Sequence, residues 1–111
     1  MDSNDACAAF AALSQPSRLE AFRLLVRRAP DPVGAGEIAA RLGVRPNTLS
    51  SHLSVLHAAG LVTRTRAGRH IRYGLSTDGL SDLLGYLLED CCGAGRGASR
   101  DIIREIRDGC C

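Results

Sequence analysis

Apolar residues recur three and four positions apart in six stretches of the chain, which is the spacing that places side chains on one face of an α-helix. Gly43 and Gly60 follow two of these stretches, and glycine is common just beyond a helix C-terminus. Pro16 and Pro46 begin two of the stretches, at the first helical position that proline favours. The pattern therefore predicts helices over residues 7–13, 16–28, 37–42, 46–59 and 78–90, and a last one capped by Ser99.

Two stretches between the fourth and fifth predicted helices alternate in polarity instead, as half-buried β-strands do. They cover residues 61–66 and 69–75, and Ala67-Gly68 is expected to join them as a hairpin turn. Val44-Arg45 separates the third and fourth helices by only a turn. A short helix, a turn, a longer helix and a hairpin predict a winged helix-turn-helix. The predicted fold is mainly α, with about five to six helices and a two-stranded β wing.

The expected core is aliphatic, because the chain has no Trp, two Phe and two Tyr. Cys7 is expected to be a small apolar core residue. Ser14 is the expected N-cap of the second helix. The inward residues of that helix are predicted to be Leu19, Phe22, Leu25 and Val26. An apolar fraction of 45% over 111 residues predicts a single domain, with residues 93–111 as a cysteine-bearing extension.

The predicted helix over residues 78–90 carries a stripe of five leucines at helical spacing. This is more apolar surface than a small monomer needs, so we interpret it as a dimer seam shared with the first helix. The alternative is that the stripe only covers the core of the monomer. Its members are Leu80, Leu83, Leu84, Leu87 and Leu88.

One face of the helix over residues 46–59 is small, polar and uncharged, and it lies opposite the apolar stripe of Leu49, Leu53 and Leu56. Short hydrogen-bonding side chains can lie close to base edges in a major groove without steric conflict. The pattern therefore predicts a DNA-recognition helix. Its central face holds Asn47, Ser51, Ser54 and Ala58.

Charge is distributed unevenly, although the net charge is only +2. No acidic residue lies between Glu37 and Asp78, whereas the same interval holds six arginines, Arg41 among them. A field of one sign over adjacent elements favours a polyanionic partner such as double-stranded DNA; the alternative is a solvated arginine-rich hairpin. The predicted DNA contacts are Arg45, Asn47, Thr48, Ser50, Ser51, Ser54, Arg64, Arg66, Arg69, His70 and Arg72.

The other two histidines are expected to have different environments. His52 lies beside the apolar stripe and is expected to be packed and hydrogen-bonded, whereas His57 should face solvent or DNA. The acidic N-terminus lacks a basic region ahead of an apolar run, and the longest uncharged apolar run is too short for a bilayer. These features predict a cytoplasmic protein that does not contact membranes. Its five Cys are then expected to be thiols or ligands and not a disulfide framework.

Three motifs resemble the ArsR/SmtB family of winged-helix metal-sensing repressors. They are residues 10–19 (FAALSQPSRL), residues 49–56 (LSSHLSVL), and residues 59–62 (AGLV) followed by Gly68-Arg69 and Tyr73. The resemblance covers about residues 8–90. It implies a homodimer with first-helix and fifth-helix contacts, and repression of an operon whose inducer releases the protein from its operator.

The metal sites that this resemblance implies are both missing here. The best-known arsenic sensors of the family carry a Cys-x-Cys-x-x-Cys-like set on the helix before the recognition helix, whereas residues 37–42 contain no Cys. Zinc-type members use Asp and His ligands on the long C-terminal helix, whereas residues 78–90 contain no His.

Four of the five Cys instead form two adjacent pairs, Cys91-Cys92 and Cys110-Cys111. Adjacent cysteines are too close for a relaxed disulfide with each other, but both thiolates can bind one soft ion. Trivalent arsenic or antimony favours three thiolates. Some arsenite-responsive family members resemble this arrangement, although their third Cys lies nearer. The expected inducer is As(III), with Sb(III) or methylated As(III) as alternatives and no organic cofactor, and the candidate ligands are Cys91, Cys92, Cys110 and Cys111.

Other roles for these thiols remain open. Cys92 and Cys111 could bridge on oxidation or persulfide attack, which would make the protein a thiol-redox or persulfide-responsive repressor. The cysteines could also be incidental, and Cys7 could approach the partner's site across the dimer seam. A thiol enzyme is disfavoured, because Cys91-Cys92 follow a predicted helix C-terminus, where the dipole raises a thiol pKa. The chain is therefore predicted not to be an enzyme.

Overall fold

The computed structural model describes residues 1–88 of the chain. Within them lie five helices and a three-stranded antiparallel sheet, which confirms the predicted winged helix-turn-helix. The two cysteine pairs, the predicted helix after Ser99 and the extension 93–111 lie outside the described residues. The elements are α1 (Ser3–Leu13), α2 (Pro16–Arg28), β1 (Val33–Gly34), α3 (Ala35–Leu42), α4 (Pro46–Ala58), β2 (Val62–Ala67), β3 (His70–Leu75) and α5 (Thr77–Leu87).

Helix α1 begins four residues earlier than predicted, because Asp2 and Asp5 form a capping box. The Asp5 N–H donates to Asp2 Oδ1 at 2.8 Å, and the Asp2 N–H donates to Asp5 Oδ2 at 3.3 Å. The prediction that Ser14 caps α2 is wrong. The Ser14 hydroxyl instead donates to the Ala11 carbonyl at 2.7 Å. Gln15 is the N-cap, and its Oε1 accepts from the Arg18 N–H at 2.8 Å.

Both predicted glycine stops are confirmed. Gly43 follows α3 with φ +64°, and the Val44 N–H donates to the Ala39 carbonyl at 3.1 Å, which satisfies a terminal carbonyl of the helix. Gly60 has φ +79° just after α4, and it begins the short link into β2. These two positions require the left-handed conformation that glycine adopts without strain. They fix the lengths of the two helices of the helix-turn-helix.

The wing has a third strand that the sequence did not reveal. In the sheet order β1-β3-β2, Val33 of β1 pairs with Tyr73, and Arg64 of β2 pairs with the same tyrosine from the other side. Ala67 pairs with His70, so the hairpin turn is at residues 68–69 and not at Ala67-Gly68 as predicted. The turn moves because position 68 takes the left-handed conformation, with φ +64°.

The core is aliphatic, as expected, and α4 contributes its three stripe leucines to it. Two predictions about the core are wrong. Leu19 is 40% exposed and Leu24 is buried in its place, because α2 packs against α1, α3, α4 and β3. Cys7 is exposed on α1, whose buried positions are Ala6, Ala9 and Ala12.

The leucine stripe of α5 is only partly used within one protomer. Leu83 is buried and Leu80 is half-buried, whereas Leu87 at the end of the helix is 51% exposed. Helix α5 packs against α1, where Phe10 is 46% exposed. Exposed apolar side chains on α1 and α5, together called the α1–α5 surface, therefore remain uncovered within residues 1–88. None of the helices in that part of the chain is long and apolar enough to span a bilayer.

Candidate nucleic-acid interface

Helix α4 is anchored on one side and free on the other. Leu49, Leu53 and Leu56 are buried to 1% exposure or less, so the helix cannot rotate about its axis without exposing them. The positions on its opposite side are all exposed, which confirms the orientation predicted for the polar face. They are Asn47, Thr48, Ser50, Ser51, Ser54 and Ala58.

The N-terminus of α4 leaves its first amide groups without a side-chain acceptor. Its N-cap is Arg45, which makes no side-chain capping bond, and Pro46 occupies the first turn. The first turn contains no acidic residue. Amide donors and the helix dipole at such a terminus favour a phosphate group. The exposed Arg45 side chain adds a positive charge at the same end.

Glu37 limits the basic surface at α3. Its Oε2 accepts from Arg28 Nη1 at 2.6 Å and from Arg41 Nε at 3.1 Å. The hydrogen bond from Arg28 and the charges of both arginines hold the pKa of Glu37 below its ordinary value. Arg41 belongs to the acid-free interval of the sequence, but its charge is compensated in the fold. The basic surface therefore begins at Arg45 and continues into the wing.

The strand register divides the arginines of the wing between two faces. Arg64 pairs with Tyr73 and Arg66 pairs with Ile71, so these two arginines share the face of the sheet that carries the buried tyrosine. Arg72 pairs with Thr65 and lies on the opposite face. No ion pair within residues 1–88 involves these three arginines. The wing is thus cationic on both faces.

The tip of the wing carries the remaining predicted contacts. Arg69 lies in the two-residue turn and His70 begins β3, and both side chains are exposed. A hairpin whose faces and tip all carry positive charge can follow a phosphate backbone from inside a groove or across it. The structure thus places these exposed side chains together on the wing, although they do not form one flat patch, and their contact with DNA stays a prediction.

An open cleft of about 400 Å³ lies where the wing meets α3 and the end of α2. Arg28 and Glu37 line one part of it, and His70 and Arg72 line another. The remaining lining is the segment that leads into β1. The carboxylate of Glu37 makes this cleft less favourable to an anion than the exposed tip of the wing.

The other histidines agree in part with expectation. His57 is exposed near the end of α4. His52 is half-buried, as expected for packing, but no side-chain hydrogen bond of His52 is present within residues 1–88. No group of three or more His, Cys, Asp or Glu in that range could hold a metal ion. Cys7 is the only cysteine in that range, and the four predicted ligands lie outside the described residues.

Sequence reasoning missed one residue of the recognition helix. Val55 is 41% exposed on α4, although valine is normally counted with the core. It follows Ser51 by four positions, so the two side chains lie about 40° apart around the helix axis. The position in the helical register was the signal that could have placed Val55 on the outer face.

The chain is similar to known transcriptional regulators. A helix-turn-helix domain model matches residues 13–65. The transcriptional regulator CmtR of Mycobacterium tuberculosis is 38% identical over 78 residues, or 70% of this chain. The chain spans 64% of the length of CmtR. The transcriptional repressor SdpR of Bacillus subtilis is 33% identical over 79 residues, which cover 71% of this chain and 84% of SdpR.

Two further relatives bear on ligand class and assembly. A probable mercury resistance operon repressor of Streptomyces lividans is 29% identical over 87% of this chain and 74% of its own. The solution structure of a homodimeric winged helix-turn-helix DNA-binding domain from Mycobacterium bovis, a possible ArsR-family regulator, matches with a TM-score of 0.62 and 25% identity. That match covers 78% of this chain and 76% of the solved chain. CmtR, SdpR and the Streptomyces protein are regulators by name, in agreement with the prediction that the chain is not an enzyme.

Proposed function

Because the chain belongs to the ArsR family of winged-helix transcriptional regulators, we propose that it is a homodimeric repressor that trivalent arsenic releases from operator DNA. DNA binding is supported most strongly by two surfaces that occur in the same fold. One is the exposed polar face of α4, and the other is the wing, whose arginines have no acidic partner within residues 1–88. Helix α4 is held by three buried leucines, and the arginines of the wing make no ion pair within residues 1–88. Both surfaces are therefore available to bind a polyanion.

The interface divides recognition between two elements. The short side chains of α4 enter the major groove and contact base edges, which specify the sequence. Arg64, Arg66, Arg69 and Arg72 contact phosphates or the adjacent minor groove, which set the affinity and its dependence on salt. Each phosphate that an arginine neutralises releases counterions, so operator affinity falls steeply with salt concentration.

The apolar surface of α1 and α5 supports a dimer. Phe10 and Leu87 are about half exposed on two helices that pack against each other. Covering the exposed half of side chains of this size contributes about 0.7–1.5 kcal/mol each. A two-fold dimer then places its two α4 helices in successive major grooves, about 34 Å apart. The homodimeric state of the Mycobacterium bovis structure supports this assembly.

The proposed inducer site uses the cysteines that follow α5 in the sequence. Cys91 follows the last residue of α5, Leu87, by four positions in the sequence and is adjacent to Cys92, and Cys110 and Cys111 supply further thiols. Thiolates bind soft thiophilic centres in preference to hard cations, and trivalent arsenic takes three of them. The similarity to a mercury resistance operon repressor supports a soft inducer. No metal-binding group is present among residues 1–88, so the proposal assigns the site to these four cysteines.

Inducer binding next to the dimer helix can alter DNA binding by changing how the two protomers are arranged. A site that changes the preferred distance between the two α4 helices weakens operator binding, because both helices must reach their grooves at once. Couplings of this kind are typically about 1–3 kcal/mol. Full release, from almost all bound to almost all free, requires about 5.5 kcal/mol.

The chemistry of the site can be tested by titrating the reduced protein with arsenite and counting the thiols that become protected. Three protected thiols per protomer are expected. A different result would indicate a thiol-redox or persulfide-responsive repressor. In that case two thiols are protected, DNA binding is lost on mild oxidation or persulfide treatment, and arsenite leaves DNA binding unchanged. The same adjacent cysteine pairs favour that second function, because oxidants also act on thiolates.

A further inference from the structure

The outward face of α4 contains an aliphatic side chain that the fold does not use. Val55 is 41% exposed, whereas the neighbouring apolar residues Leu53 and Leu56 are fully buried. The core therefore does not explain a branched hydrocarbon at this position. Two other exposed apolar residues, Phe10 and Leu87, belong to the α1–α5 surface and not to α4.

The residues around Val55 make this part of the helix a methyl-bearing strip. Thr48 precedes it by seven positions and Ala58 follows it by three, so both lie within about 60° of it around the helix axis. Ser51 lies between Val55 and Ala58 around the helix axis, Ser54 lies beyond Ala58, and all of these residues are exposed. Methyl groups next to hydroxyl groups match the major-groove edge of an A·T pair, where thymine presents its C5-methyl beside polar atoms.

We propose that Val55 is a specificity-determining residue that packs against the C5-methyl group of a thymine in each operator half-site. The inference rests on the proposed function, since it requires α4 to enter the major groove. Valine is suited to this contact because its χ1 angle is nearly fixed in a helix, so its methyl groups are already oriented before DNA binds. A long flexible side chain would lose more rotamer entropy at the same contact.

The test uses duplexes that the reduced, dimeric protein selects from a random-sequence pool. Each conserved thymine is replaced by uracil, which removes the C5-methyl and keeps every hydrogen bond of the base pair. At the contacted thymine, uracil should weaken binding of the unmodified protein about fourfold in one half-site and about fifteenfold in both, from the burial of one methyl-sized group per contact. Val55→Ala should show no such penalty at that position.

Matched controls separate this contact from general effects. Leu19→Ala removes a side chain of similar exposure from α2 and should leave every uracil penalty unchanged. Circular dichroism should show that both variants are folded. Equal uracil penalties in the unmodified protein and in Val55→Ala, with salt-sensitive binding intact, would overturn the thymine contact alone. Failure to select or bind any duplex would overturn the contact together with the DNA-binding function.

Discussion

Gly79 in the first turn of α5 lies directly against the carbonyl of Gly60, at the end of the α4 unit. A Cβ built at position 79 would overlap the Gly60 oxygen and lie 2.9 Å from its carbonyl carbon. Backbone cannot move aside as a flexible side chain can, so only glycine permits this approach. The contact joins the proposed dimer helix to the loop that leads from the recognition helix into the wing.

We therefore expect Gly79→Ala to lower the free energy of unfolding by about 1–3 kcal/mol, the usual cost of forcing atoms into a packed site. Urea unfolding at one protein concentration measures it, because a dimer's stability depends on concentration. Gly36→Ala is the control. No heavy atom lies within 4 Å of a Cβ at that helical position, so alanine should be neutral or stabilising. Equal unfolding free energies for the two variants would contradict the close packing.

The interaction of Glu37 with Arg28 and Arg41 predicts a dependence of stability on pH. The pKa of Glu37 is lower in the folded chain than its ordinary value of 4.5, because Arg28 donates a hydrogen bond to the carboxylate. The stabilisation is therefore complete above that value and is lost as the pH falls through the folded pKa. Glu37→Gln should be less stable than the unmodified protein at neutral pH, by a small amount because the group is exposed.

The difference between the two proteins should vanish in acid, below the pKa of Glu37 in the folded state. Urea unfolding as a function of pH measures it. Asp78→Asn changes an exposed carboxylate that forms no ion pair within residues 1–88, and it serves as the charge control. A stability difference that stays constant from neutral to acid pH would contradict an ionic origin.

The arginines of the wing should account for part of the salt dependence of DNA binding. Arg66→Ala removes one phosphate contact and should reduce the slope of log affinity against log salt by about 1. Arg41→Ala is a matched control from the same acid-free interval. Because Glu37 already compensates Arg41, its removal should change the slope much less. Fluorescence anisotropy with a selected duplex measures both, and equal slopes for the two variants would contradict the assignment.

The α1–α5 surface should control assembly. Leu87→Glu places a charge on the apolar surface and should shift the protein from dimer to monomer in analytical ultracentrifugation. The association should be at least about tenfold weaker, since burying the exposed half of Leu87 in both protomers contributes about 1.5–3 kcal/mol per dimer. Leu19→Glu changes a residue of similar exposure on α2 and should remain dimeric. A dimer that survives Leu87→Glu but dissociates with Leu19→Glu would place the interface on α2.

Features fixed by local stereochemistry could be predicted from the sequence. Gly43 and Gly60 end helices because they take positive φ, and Pro46 begins one because its φ already suits a helix. The buried stripe of α4 could be predicted for the same reason, since its leucines repeat at helical spacing. The helix-turn-helix and the orientation of its second helix follow from these signals alone.

Features that depend on distant neighbours could not be predicted. Leu19 and Leu24 are both apolar, and only packing against three helices and a strand decides which is buried. Strand β1 has two residues, too few to show a period, and exists only because Val33 pairs with Tyr73. Glu37 and Arg41 are four positions apart, so their ion pair has a spacing that is visible in the sequence. The ion pair of Glu37 with Arg28 joins two helices, and the sequence does not show it.

The proposed function requires that a soft inducer, when bound to the cysteines, weakens the binding of the cationic surface to DNA. The most direct measurement is operator affinity of the reduced protein with and without arsenite, for the unmodified protein, Cys91→Ser, Cys92→Ser and Cys7→Ser. The account predicts that arsenite weakens binding of the unmodified protein and of Cys7→Ser, and that both other variants stay bound. Equal release of all four proteins by arsenite, or no effect of arsenite on the unmodified protein, would contradict it.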